Sequence, residues 1–140
     1  MTKFNLRKNS NQQFVDLGSG NGIVVIFAAL NYNVISVGLE INELLIEESK
    51  NNLANLQISI NKIKFLNEDF YSHSLNSYDF IYTYSLPTMQ KFMKHTFKTA
   101  KSKAIIISYK YPLNDYEDIL KLAYRLNLKD NRDTFFYVKI

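Results

Sequence analysis

The chain contains no cysteine. Disulfides, thiol nucleophiles and cysteine-ligated metals are thereby excluded, and a cytoplasmic setting is the expectation for such a chain. No apolar run approaches the roughly 18 residues of a membrane span, so no membrane partner is expected. The start, MTKFNLRKNSNQQ, is basic but has no apolar stretch behind it, unlike a signal peptide. His73 and His95 show no ligand spacing, and no metal site is expected. With two prolines and four glycines, punctuation is sparse and periodicity must do most of the parsing. A net charge of +4 permits an acidic partner without requiring one.

What is present is enough for one domain: 140 residues, 46% of them hydrophobic, with ten Phe and ten Tyr to fill a core. Phe14 to Leu17 reads as a short apolar strand, and Ile23 to Leu30 (IVVIFAAL) as a buried helix. In the latter the β-branched residues alone favour a strand. Val34 to Leu39 is a second strand, followed by a helix over Glu43 to Leu53 that Asn42 can cap. Ile63 to Leu66 and Tyr78 to Tyr84 are further strands. Pro87 suits a helix start, after which Met89, Phe92, Met93, Phe97 and Ala100 recur at helical spacing. Ala104 to Tyr109 (AIIISY) is a fully apolar fifth strand.

Strands alternating with helices, and apolar on both faces, indicate a parallel sheet covered on both sides. The end of the chain differs. Leu120, Leu122, Tyr124, Leu126 and Leu128 alternate, KDNRD makes a turn, and Thr134 to Ile140 is another strand, which together read as an antiparallel hairpin. A helix over 116–126 fits the same residues through Ile119, Leu122, Ala123 and Leu126. The expectation is a Rossmann-like, doubly wound α/β domain over 1–140, with a mostly parallel sheet and a C-terminal antiparallel hairpin.

Three of the four glycines fall in FVDLGSGNG, residues 14–22, immediately after a strand. Such a loop lets backbone approach a ligand closely, and the helix behind it offers unpaired N–H groups. A dinucleotide fingerprint, G-x-G-x-x-G, would need glycine at 23, where Ile23 stands. The pattern is instead D-x-G-x-G-x-G, with Asp16, Gly18, Gly20 and Gly22.

That pattern resembles the first motif of class I S-adenosylmethionine-dependent methyltransferases, and the resemblance extends over nearly the whole chain. It implies S-adenosyl-L-methionine as cofactor. It implies that Gly18, Ser19, Gly20 and Gly22 pack against the methionine part and that Asp16 helps anchor the amino group. Glu40, followed by Ile41 in VGLEIN, matches the acid that holds both ribose hydroxyls, a task suited to two acceptor oxygens. Asp69 in LNEDF matches the contact to the adenine amino group, with Phe70 beside the ring. A dinucleotide oxidoreductase, which also uses an acid some 20 residues past its glycines, is disfavoured by the glycine spacing and by the terminal hairpin.

The segment after the fourth strand, DFIYTYSLPTMQKFM, lacks the Asn/Asp-Pro-Pro-aromatic motif of enzymes that methylate nucleobase amino groups. It is more similar to small archaeal protein-lysine methyltransferases and their mitochondrial relatives. Ser108-Tyr109-Lys110-Tyr111 and TFFYVKI are similar to those enzymes' fifth-strand end and terminal hairpin. The resemblance implies attack by a neutral lysine amine, with protein as the substrate. Tyr84 and Ser85 are the candidate catalytic residues, and desolvation against Tyr84, Tyr109 or Tyr111 would lower the lysine pKa. Only about thirteen residues precede Phe14, fewer than in relatives, so a partner subunit or a non-catalytic binding role is the alternative. RNA is a second candidate substrate, because Lys91, Lys94, Lys98 and Lys101 fall near one helix face, joined by Lys3, Arg7 and Lys8.

Overall fold

The computed structural model describes residues 11–57, 61–127 and 129–140. Lys3, Arg7, Lys8 and Leu128, and with them most of the N-terminal segment, lie outside the described residues. Seven strands form one mixed sheet in the order β3-β2-β1-β4-β5-β7-β6. Contacts within the chain divide it into two compact units, one ending at Phe70 and one beginning at Tyr71.

The first unit contains β1 (Gln13–Leu17), α1 (Ile23–Tyr32), β2 (Ile35–Leu39), α2 (Glu43–Asn55) and β3 (Ile63–Leu66). The strands are parallel, with Asp16 opposite Gly38 and Gly38 opposite Phe65. Phe14, Val15, Leu17, Val37 and Leu39 are buried, as expected for a sheet covered on both sides. Ile23 to Tyr32 is helix in spite of its β-branched start, because packing overrides propensity. Val25, Ile26, Ala28 and Ala29 face inward, and the buried Ser36 hydroxyl donates to the Val25 carbonyl at 2.8 Å. Asn42 caps α2 as expected, its side chain accepting from the Leu44 N–H at 2.9 Å.

The second unit contains β4 (Phe80–Thr83), α3 (Pro87–Lys98), β5 (Ile105–Tyr109), β6 (Leu120–Leu126) and β7 (Thr134–Lys139). β4 and β5 are parallel, whereas β7 runs antiparallel to both β5 and β6. The hairpin is therefore present and the helical alternative for 116–126 is excluded. The alternation within β6 marks the strand but not a buried face. Leu122 is 51% exposed, because β6 lies at the sheet edge and its register shifts between Leu122 and Tyr124. β7 has a neighbour on each side, and Phe135, Phe136 and Tyr137 are all buried.

Pro87 stands at the first turn of α3, as read from the sequence. The buried face of α3 differs from the apolar stripe. Gln90, Met93, Thr96 and Phe97 face inward, while Met89 and Phe92 are exposed. Tyr116 accounts for the rotation: its ring meets Phe97 edge-on at 5.6 Å and its hydroxyl donates to the Gln90 carbonyl. This polar anchor is invisible to a hydrophobic pattern.

Candidate functional site

In the first unit, β1 delivers the chain into a loop in which Gly18, Gly20 and Gly22 have φ of +82°, +55° and +83°. Residues with a Cβ rarely adopt these conformations, which explains the crowding of glycine here. The N–H groups of Gly18 and Ser19 both donate to the Leu39 carbonyl, at 2.9 and 2.8 Å, tying the loop to the end of β2. From α2 the Ser49 hydroxyl donates to the Gly20 carbonyl at 2.9 Å, and the Asn52 amide to the Asn21 carbonyl at 3.0 Å.

Glu40 leaves the end of β2 and serves as the hinge of the site. One carboxylate oxygen accepts from the Gly20 N–H at 2.9 Å and the other from the Asn42 N–H at 3.0 Å. Each oxygen keeps a further lone pair. Asn67 fixes the same turn by donating to the carbonyls of Glu40 and Ile41, at 3.0 and 2.9 Å. The Ile41 side chain is 69% exposed, Asp69 is exposed, and the half-buried Phe70 opens a single 3-10 turn, Phe70–Ser72.

Two groups in this unit are costly without a ligand. Asp16 is buried, and burial, reinforced by the charge of Glu40, pushes its carboxyl up to about 7. Three residues on, the Ser19 hydroxyl is buried with no hydrogen-bond partner. Such an orphan costs about 1–3 kcal/mol, which a hydrogen-bonding ligand would recover. Ser19 lies directly on the backbone of Gly38, where an added Cβ would stand 2.6 Å from the serine oxygen. Gly38, Ser49, Asn52 and Asn67 were missed in the sequence. Only the isolated glycine within a strand carried a signal, since it marks close approach.

In the second unit, Tyr84 follows β4 and is 52% exposed, whereas Ser85 is buried. The Ser85 hydroxyl accepts from Thr83 at 3.2 Å, and its carbonyl accepts from the Gln90 amide at 3.3 Å. Tyr84 packs against Tyr109 and Tyr111, with ring centroids 5.3 and 6.1 Å away. His73 meets the Tyr78 hydroxyl at 2.9 Å, and His95 the Tyr71 carbonyl at 2.8 Å. No cluster able to hold a metal occurs among the described residues.

Two of the lysines on and just beyond α3 are paired. Lys94 pairs with Asp118 at 2.8 Å and Lys101 with Asp79 at 2.7 Å. Lys91 instead lies over the Phe92 ring, 4.9 Å from its centroid, at an open groove of about 580 Å3 that Tyr71 and His95 complete. No helix among the described residues is long and apolar enough to cross a membrane.

The model of a protein family described as the ANTKMT methyltransferase domain matches residues 16–119. No curated protein matches the chain. Among solved structures, an RNA methyltransferase from Salinibacter ruber in complex with S-adenosyl-L-homocysteine is similar, with a TM-score of 0.79 and 21% identity, over 92% of this chain and 80% of that one. A variant of MtNAS in complex with S-adenosylmethionine has a TM-score of 0.77 at 15% identity, and the match spans 99% of this chain but only 58% of that one. A methyltransferase from Pyrococcus furiosus has a TM-score of 0.68 at 11% identity, over 99% of this chain and 80% of that one.

Proposed function

The chain belongs to the ANTKMT methyltransferase domain family, and we propose that this S-adenosylmethionine-dependent methyltransferase acts on lysine amines of protein. The observation that carries the cofactor side is that the glycine loop holds both a buried acid, Asp16, and an orphaned buried hydroxyl, Ser19. An ammonium group would satisfy the carboxylate and a polar atom the hydroxyl, so the residues present fit an amino-acid moiety. Glu40 retains one lone pair on each oxygen for two vicinal hydroxyls. Asp69 and Phe70 supply an acceptor and a ring for a nucleobase. The bound cofactor would supply an electrophilic methyl group on a sulfonium.

Glu40→Ala tests this half of the site. It removes the acceptors of two ribose hydroxyls and frees the Gly20 and Asn42 N–H groups. Cofactor binding is expected to weaken by about 1–3 kcal/mol in calorimetry. Unchanged affinity would remove Glu40 from the site.

For the acceptor, ligands of open α/β sheets bind beyond the carboxyl ends of the strands, and Tyr84-Ser85 directly follows the carboxyl end of β4. Exposed Tyr84 can touch a substrate. Buried Ser85 shapes the turn through its bonds to Thr83 and Gln90, and we assign it a positioning role. The lack of a base-methylating Pro-Pro motif supports an amine outside nucleic acid. The second reading, RNA, is favoured by the groove in which Lys91 adjoins Phe92 and Tyr71, a pairing of cation and rings suited to single strands. The ion pairs of Lys94 and Lys101 weigh against it.

One assay separates them. Labelled cofactor is incubated with the protein and a lysate split into protein and RNA fractions. We expect label in lysine side chains, lost with Tyr84→Ala. Label in RNA, falling with Lys91→Ala, would overturn the lysine reading. Tight cofactor binding without label in either fraction would favour the non-catalytic role or a missing partner.

A further inference from the structure

We infer that Tyr84, Tyr109 and Tyr111 form a box that recognises an alkylammonium group by its positive charge, and that Lys110 guards it. The inference rests on the lysine reading and deepens it, because it names how the acceptor's charged end is recognised. Register builds the box. Thr83 lies opposite Ser108 in the parallel pair β4–β5, so the next residues, Tyr84 and Tyr109, emerge side by side. Lys110 then turns the chain with φ of +71°, its N–H donating to the Asp133 carbonyl at 2.6 Å. The turn returns Tyr111 to the cluster, where its N–H donates to the Tyr109 carbonyl at 2.9 Å and its carbonyl accepts from the Ser108 hydroxyl.

The rings are inclined, not stacked: 66° between Tyr84 and Tyr109, and 51° between Tyr84 and Tyr111. The exposure of Tyr84 opens the cluster to solvent. A ring face carries negative potential and attracts a cation placed within about 6 Å. An ammonium already takes that position, since the Lys110 Nζ lies 5.4 Å from the Tyr111 centroid. The neighbouring Asp133 carboxylate is engaged by Arg125 at 2.5 Å.

Ring faces favour the charged amine over the neutral one, the reverse of simple desolvation. The box therefore docks an alkylammonium and does not itself remove its proton. Lys110, tethered beside Tyr111, competes for the same chemistry and sets a threshold that an incoming cation must exceed.

The test uses the full chain without cofactor and follows the tyrosine resonances during titration. Choline is the probe, and 3,3-dimethylbutanol is its uncharged carbon analogue. Choline should bind about tenfold or more tightly than the analogue, the ratio that ~1.4 kcal/mol of cation–ring attraction gives. Tyr84→Phe should keep this discrimination and Tyr84→Ala lose it; the exposed position tolerates either. Lys110→Met should tighten choline by a fewfold. Equal binding of the two probes, or displacement of choline by a single-stranded RNA oligonucleotide, would overturn the box. An unchanged choline affinity in Lys110→Met would remove the guard. Lysine labelling in the lysate assay without charge discrimination sinks the box alone. Charge discrimination without lysine labelling leaves the box and sinks the lysine reading.

Discussion

Gly22→Ala is expected to lower stability by about 2–5 kcal/mol and to abolish measurable cofactor binding. Two independent costs add at this position. The backbone sits at φ +83°, where a side chain costs about 1–2 kcal/mol. The added Cβ would also stand 2.7 Å from the Phe65 ring and 2.9 Å from the Ser49 Cβ. Neither neighbour can retreat freely. Phe65 belongs to β3, and Ser49 holds both the Gly20 and the Leu45 carbonyls. Relief of the clash through Ser49 would release Gly20 and with it the loop. Gly18→Ala is the control, because its φ is +82° but nothing lies within 4 Å of the new Cβ. It should lose only the conformational part, about 1–2 kcal/mol. Urea unfolding of both variants gives the comparison. Equal losses would mean that the wall formed by Phe65 and Ser49 yields.

Asp16→Asn should move stability and binding in opposite directions. The native carboxyl is raised from 3.8 to about 7, chiefly by burial and secondarily by Glu40. Between those values the folded state binds more protons than the unfolded one, so the stability of the cofactor-free protein falls as pH rises through about 7. Above that pH the buried charge costs on the order of 4 kcal/mol. Asn carries no such charge. The variant should therefore match the parent near pH 4 and exceed its stability by a few kcal/mol at pH 8. Cofactor affinity should fall by about 1.5–3 kcal/mol, or roughly 10- to 150-fold, since a charge-assisted bond to the ammonium is lost. In the parent, affinity should rise with pH up to about 7, and binding below it should release a proton, visible in calorimetry as a dependence on buffer ionisation enthalpy. A parent affinity flat between pH 5 and 8 would mean that Asp16 does not ionise to bind the cofactor.

These two residues also mark what could be read in advance. The three loop glycines announced themselves because each satisfies a local demand. Positive φ favours glycine, whereas an acid at a strand end is by itself commonly a solvated residue, and Asp16 and Glu40 stood out only through the motif's resemblance to a known family. Apolar runs of strand length, alternating with capped or proline-started helices, sufficed for the strand and helix order. The Ile23–Tyr32 helix was already ambiguous at that level, because β-branched propensity opposed it and only burial of Val25, Ile26, Ala28 and Ala29 decided the matter.

Other features depend on partners distant in the chain. Ser49 reaches Gly20 across 29 positions, and Asn67 reaches Glu40 across 27. Neither pairing has a period or a motif. The inward face of α3 was set by the hydroxyl of Tyr116, 26 positions from Gln90. The tyrosine box exists because β4 and β5 pair in one register. A shift of one residue would turn its members to opposite faces. Local conformational need and hydrophobic period were thus determined by the sequence alone, since both act between near neighbours. Which polar groups meet, and which charges stay buried, was decided only when the tertiary structure brought distant residues within hydrogen-bonding reach.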